Sequence, residues 1–333
     1  METHEAVFVW VLKVLAEEGP LKGKTVGVDA TTWEADRAMR SIVRRDTNES
    51  YQEFLTRLAK ESSIETPTRE DLAKLDKQRK HKASNNDRQS PSDPDARVTK
   101  MKDGRTHLAH KAEHAVDLNT GAIVAVTLQP ADRGDTTSIE ETLPVASDAL
   151  VDVIADESAG SHLNAQVMVE VVADKHYHSN DVLTGVGQMV QRTYISEPDQ
   201  GRRDWTDKAE ARDAVYANRR RIRGRRGKRL TKKRGELIER SFTHGCETGG
   251  MRRTWLRGHE NILKRLLIHV AGGNLSLILR KVVGLGTARG FQGLAARVFD
   301  VLRCAWTRLE RSLHHRWSQN RGRDRIGGRC ASV

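Results

Sequence analysis

Apolar positions fall into two patterns along the chain, short unbroken β-branched runs and longer stretches at helical spacing, and the two alternate. Val7, Val9, Trp10, Leu12 and Val14 make residues 5–18 an amphipathic helix, ended by Gly19 and Pro20, with no evident partner of its own. Residues 25–33 (TVGVDATTW) predict a buried strand with one carboxylate, Asp29, towards its far end. Residues 37–60 read as a helix, and residues 61–103 turn polar, with Pro91 and Pro94 as breakers, which predicts an exposed excursion with little core. Residues 105–118 and 122–129 predict a hairpin turned at Asn119, Thr120 and Gly121. A helix over 138–156 follows, then a strand over 166–174 (QVMVEVVAD), again ending in an aspartate, then a helix over 180–191 and a strand over 192–196.

Beyond that point the pattern changes. Tyr216 to Arg234 holds 11 Lys and Arg and no acid, interrupted by Gly224 and Gly227. Residues 235–244 and 259–280 read as helices, the second with Ile262, Leu266, Leu267 and Val270 on a core-facing side. After Gly284, arginines alternate with apolar residues such as Val298, Leu302, Trp306 and Leu309, and no internal repeat is present.

Composition narrows the functional classes. At 333 residues the chain has about two domains' worth of length, and 37% hydrophobic with 31% charged residues describes a soluble globular protein. The best apolar run, residues 275–285, is interrupted by Arg280 and Lys281, so no membrane span is expected. Glu2 and Glu5 stand where a secretory leader would be basic. Cys246, Cys304 and Cys330 form no CxxC pair, which suits a reducing cytoplasm. The net charge of +12 is unevenly spread: residues 1–215 carry 28 Lys and Arg against 38 Asp and Glu, and residues 216–333 carry 29 against 7. A basic half of this kind fits a nucleic-acid partner, the alternative being a solvated basic face.

Asp29 and Asp174 close two separate β-branched runs, where an open sheet presents functional groups to the crevice beyond its strand ends. Glu239, in the helical ELIERSF segment, is the natural third carboxylate of a hard-cation site, and two metals about 4 Å apart would serve phosphodiester chemistry. Taken singly, either aspartate also fits a turn or cap. His107, His110 and His114 have helical spacing, but their segment fits a strand, so no metal site is expected there.

Four ordered blocks carry a resemblance. They are GKTVGVDATTWEADRAMRSIVRRDTNESYQEFL, MKDGRTHLAHKAEHAVDLNTGAIVAVTLQPADRGDT, VVADKHYHSND, and RGELIERSFTHGCETGGMRRTWLRGHENILKRLLIHVAGGNL, together spanning about residues 20–282. The chain resembles bacterial insertion-sequence transposases of the DDE class. That resemblance implies a mixed α/β fold, a ribonuclease-H-like sheet flanked by helices, and DNA strand cleavage and transfer with Mg²⁺ or Mn²⁺, two ions in all. It implies Asp29, Asp174 and Glu239 as the catalytic, metal-binding triad, double-stranded DNA as partner, and a homo-oligomer on DNA.

Two positions depart from the family pattern: Asp36, where Asn is more usual, and His176, where Gly is usual. The Tyr-Arg-Glu-Lys signature of part of the superfamily lacks its usual spacing around Arg234 and Glu239, which leaves Glu236 and Glu247 as rival third ligands. For DNA-backbone contact the expected residues are Arg219, Arg220, Arg221, Arg225, Arg226 and Lys228, with Arg252, Arg253 and Arg257 as a second patch. Trp255, between those last arginines, either packs against the core or stacks on an unpaired base. The expected organisation is a remnant of an N-terminal helical region (1–24), the first part of the core (25–196), a basic insertion or loop (197–234), the second part with the glutamate helix (235–282) and a basic tail (283–333). The resemblance also implies a truncated front, with a non-catalytic DNA-binding remnant as the alternative to an active transposase.

Overall fold

The computed structural model describes residues 1–78, 85–101, 103–164, 166–199, 201 and 203–284, with single positions 293, 303 and 307. The chain divides into two compact units, Met1–Ile278 and Leu279–Val333. Most of the tail expected at 283–333 lies outside the described residues.

The first unit is built on a mixed sheet. Strand β1 (Thr25–Ala35) follows helix α1 (Glu2–Glu17); β2 (Val43–Arg44), α2 (Tyr51–Glu61), α3 (Arg69–Gln78), β3 (Arg88–Gln89) and β4 (Arg97–Lys100) come next. The hairpin of β5 (Thr106–Asp117) and β6 (Ile123–Pro130) leads to α4 (Asp135–Ile154) and the short α5 (Glu157–Gly160). Then come β7 (Glu170–Ala173), α6 (Asn180–Met189), β8 (Arg192–Ile195), α7 (Ala209–Arg223), α8 (Arg225–Thr243), β9 (Arg253–Thr254) and α9 (His259–Val283).

β1 is central. It pairs antiparallel with β5 from Val26–Asp117 to Glu34–Ala109, and parallel with β7, which pairs parallel with β8. β6 and β4 share the far edge of β5, both antiparallel to it, and β9 runs parallel to the end of β1. The order is therefore β6–β5–β1–β7–β8, with β5 alone running against the rest.

Helices cover both faces. Even-numbered β1 residues Val26 and Val28 belong to the main core with Leu143, Ala146 and Leu150 of α4 and Phe8, Val11, Leu12, Leu15 and Ala16 of α1. The N-terminal helix, which the sequence leaves without a partner, buries Phe8, Val11, Leu12, Leu15 and Ala16 in this core, while Val7 and Trp10 of the expected stripe are exposed; truncating Leu12 to Ala would cost about 2–5 kcal/mol. The other face carries α8, whose Leu230 packs with Leu118, Val172 and Tyr194. Gly27 sits under it, where a Cβ would meet Leu118 Cδ2 at 2.6 Å and Arg234 Cγ at 3.1 Å.

Three expectations change. The helix predicted over 37–60 begins only at Tyr51, because Ser50 and Glu53 form a capping box there and Asn48 turns the chain at φ 57°. The polar excursion is exposed along α3, which buries nothing, yet Arg88, Ser90, Asp93 and Ala96 are buried, Asp93 against the His110 ring. The basic stretch is not a loop: α7 and α8 meet at Gly224, and Gly227 lets them close, since a Cβ there would lie 2.3 Å from Arg221 O. α9 residues His259–Val282 are long and apolar enough to cross a membrane by length and composition, but Ile262, Leu266, Leu267, Val270 and Ala271 are buried in the protein core.

Candidate functional site

The parallel register of β1 and β7 ends at Gly27–Val172, and two residues further along stand Asp29, inside β1, and Asp174, the first residue past β7. Neighbouring strands thus deliver two carboxylates at one level, each about a quarter exposed. Burial pushes the Asp29 carboxyl above the ordinary aspartate range, Arg234 pulls it back, and Asp174 pushes it up again.

Every oxygen of the pair has a polar neighbour in the chain. The Ala30 amide donates to Asp29 Oδ1 at 2.9 Å, and Arg234 Nη1 donates to Oδ2 at 2.8 Å and to the Val28 carbonyl at 3.3 Å. Asp174 caps a 3₁₀ turn, Lys175–Tyr177: its Oδ1 accepts from the His176 amide at 2.8 Å, and its Oδ2 lies 3.2 Å from His176 Nδ1. His176, the departure from the family pattern, is thus the second neighbour of the acid site.

Glu239 is not gathered with them. α8 faces the sheet with Leu230, Arg234, Ile238 and Ser241, and Glu239, about 100° around the helix from Ile238, is exposed. Its rivals stand apart too: Glu236 pairs with Arg240 across one helical turn, and Glu247 with Arg252. Among the described residues no three His, Cys, Asp or Glu side chains converge as a metal site. Two neighbouring carboxylates, partly withdrawn from water, suit a single hard cation, and Arg234 is the cation that offsets Asp29 here.

α8 is fixed beside this pair by a second contact. His114, the cross-strand neighbour of Asp29, lies 2.9 Å through Nδ1 from Ser241 Oγ, and its ring packs on Phe242. Full burial pushes its pKa down to about 3. The other two histidines of the series are engaged elsewhere, His110 with Asp93 and His107 with Asp103 and Glu34.

On the opposite face, Glu113 is buried with hydroxyl donors from Ser138, Thr142 and Tyr177, Tyr177 Oη at 2.7 Å. Burial raises its pKa against those donors. Tyr177 follows Asp174 by three residues, so this bond anchors the turn that carries the second aspartate. Sequence reasoning does not reach Glu113; its one signal there is an acid set among the alanines and valine of a strand.

The expected DNA-contact residues divide. Arg219 makes a two-pronged pair with Glu197 at 2.7 Å, Arg221 donates to Thr193 O and Oγ1 at 3.0 Å, and Arg226 grips the fully buried Glu170, with Nε 3.1 Å from Oε1. Those three tie α7 and α8 to the sheet and to the segment after it. Arg220, Arg225 and Lys228 are exposed, and they are joined by three further exposed cations, Arg223, Arg229 and Lys232. In the second patch Arg252, Arg253 and Arg257 are all exposed, the first two paired with Glu247 and Asp36. Trp255 between them is 65% exposed, so core packing is not its role.

Compared with family models, curated proteins and solved structures, the chain matches none.

Proposed function

We propose that this chain is a DNA transposase of the DDE type, cleaving and joining DNA strands in a divalent-metal-dependent reaction. One observation carries the reading: Asp29 and Asp174 stand at one level on adjacent parallel strands. The order β6–β5–β1–β7–β8, with β5 reversed, is read as a ribonuclease-H-like sheet. The exposed cations of α7 and α8 supply the charge that a DNA backbone requires.

Asp29 and Asp174 would hold Mg²⁺ or Mn²⁺; Glu239, the third ligand that the resemblance implies, stands on the exposed side of α8 and is not brought to them. Such ions supply Lewis-acid activation of the attacking and leaving oxygens of a phosphodiester. The remaining work falls to the chain. Arg234 balances Asp29 and holds it against α8, the Tyr177–Glu113 bond fixes the turn beneath Asp174, and the exposed arginines and lysines of α7 and α8 bind duplex phosphates without reading sequence.

A second reading, a non-catalytic DNA-binding protein that interferes with an intact transposase, is favoured by one feature. Arg234 and His176 already occupy both carboxylates, and Glu239 stands on the exposed side of α8. The deciding experiment is cleavage and strand transfer on supercoiled DNA bearing the element's ends, with Mg²⁺ or Mn²⁺, comparing the chain with Glu239→Gln. Metal-dependent products lost in the variant support the enzyme. Binding without products from either protein supports the second reading.

A further inference from the structure

We infer that the Met251–Gly258 loop is a stacking site for an unpaired base of DNA, with Trp255 as the platform. The inference rests on the DNA-binding reading above and adds a substrate feature to it, unpaired rather than fully duplex DNA.

The loop is held at both ends. The Glu34 amide donates to the Arg252 carbonyl at 3.2 Å, and β9 continues the sheet by pairing Arg253 with Glu34 and Thr254 with Ala35 of β1. At the other end Asp93 Oδ1 accepts from the Gly258 amide at 3.1 Å, and Asp95 Oδ2 from the His259 amide at 2.9 Å. Asp93 is itself buried against His110. Met251 and Thr254 are buried.

Between these anchors the large indole of Trp255 is left 65% exposed and Leu256 39% exposed. An apolar pair fixed outward on a pinned loop is prepared for a ligand, since nothing in the fold requires it there. Arg252, Arg253 and Arg257 flank it, and Arg257 pairs with no carboxylate among the described residues. An exposed aromatic side chain with an exposed arginine two residues to either side, Arg253 and Arg257, matches a base and its phosphate: stacking on the ring, charge neutralised beside it. A protein partner would need a broader apolar surface than one indole and one leucine supply. Ala35 lies six residues along β1 from Asp29, which puts the platform about 20 Å from the carboxylate pair, well beyond reach of the same nucleotide.

The test is fluorescence anisotropy of labelled oligonucleotides with the full chain, using a fully paired duplex and the same duplex carrying a short single-stranded gap. The wild type should prefer the gapped DNA. Trp255→Ala should lose about fivefold or more of its affinity for the gapped DNA and keep its duplex affinity, while Trp255→Phe keeps both. Substituting Arg220, Arg223 and Lys228 with Gln should weaken both DNAs alike. Equal loss on both DNAs from Trp255→Ala, or no loss on either, overturns the stacking site and leaves the DNA reading standing. So does a wild-type self-association, seen by sedimentation, that Trp255→Ala abolishes. No binding of either DNA by the wild type overturns the DNA reading and the stacking site together.

Discussion

A carboxylate on a sheet face loses hydration when the next layer packs over it, and Asp29 recovers part of that loss from Arg234. Because its folded-state pKa lies above the unfolded value of 3.8, the stability that Asp29 contributes is present at low pH and is lost as pH rises through the folded value. Arg234 limits that loss. Replacing it by Gln should therefore destabilise the protein by about 2–3 kcal/mol at pH 8 and distinctly less at pH 4, where Asp29 is closer to neutral. Urea unfolding at the two pH values checks this, and equal destabilisation at both would remove Asp29 from the explanation. Asp174→Asn has a different signature under the proposed function: cleavage abolished, salt-sensitive DNA binding retained, in a gel assay run beside the nicking assay. Unchanged cleavage would remove Asp174 from the site.

Elements explain which parts of this arrangement are legible in the sequence. β1, the β5–β6 hairpin, α4, β7, α6 and β8 are visible there because each is a local pattern with a turn or cap at its ends, and that locality is enough to put Asp174 at the end of β7; Asp29, expected near the end of its strand, instead sits inside β1, which runs six residues further because β5 keeps pairing with it as far as Glu34. What joins them is not local. Arg234 reaches Asp29 across 205 positions and Arg226 reaches Glu170 across 56, and nothing in a basic run distinguishes the arginine that anchors from the one that waits for a ligand. The run itself reads as a loop or insertion because Gly224 and Gly227 suggest a break, whereas they permit a tight α7–α8 corner. α8 also depends on β5 through His114 and Ser241. The His114 pKa is pushed down to about 3, so the unfolded chain takes up its proton first, and stability present above about pH 6.5 drains away as pH falls towards 3. A slope of about 1.4 kcal/mol per pH unit from this one group is expected between those limits, and His114→Gln should flatten the stability profile there by about that amount. Chemical denaturation at half-unit pH steps reads it directly.

At the scale of the molecule, charge separates along the sequence but meets at the sheet. The acidic first part supplies the carboxylate pair, and the basic second part supplies α8, which packs against it through Arg234. Under the proposed function, a phosphate backbone that is held by the exposed cations of α7 and α8 and engaged at Asp29 and Asp174 is repelled by both carboxylates. Only one of the pair is offset by a buried cation. A divalent ion held by the two aspartates would reverse that repulsion, so under the proposed function Mg²⁺ should tighten DNA binding at constant ionic strength. The effect must be separated from the general counterion response, in which each phosphate neutralised contributes about 0.9 to the slope of log affinity against log salt. Salt titrations with and without Mg²⁺, in the wild type and in Asp29→Asn, make that separation. Exposed cations such as Arg223, Arg229 and Lys232 set the slope, and removing them should lower it by about one for each phosphate they neutralise. The aspartates set only the Mg²⁺-dependent offset between the two lines. Tighter binding with Mg²⁺ in the wild type, and no offset in Asp29→Asn, ties the acid pair and the basic helices into one DNA site. Parallel lines with no offset in either protein place the DNA away from the carboxylates, and Asp29 then serves only to join β1 to α8 and Asp174 to cap its turn.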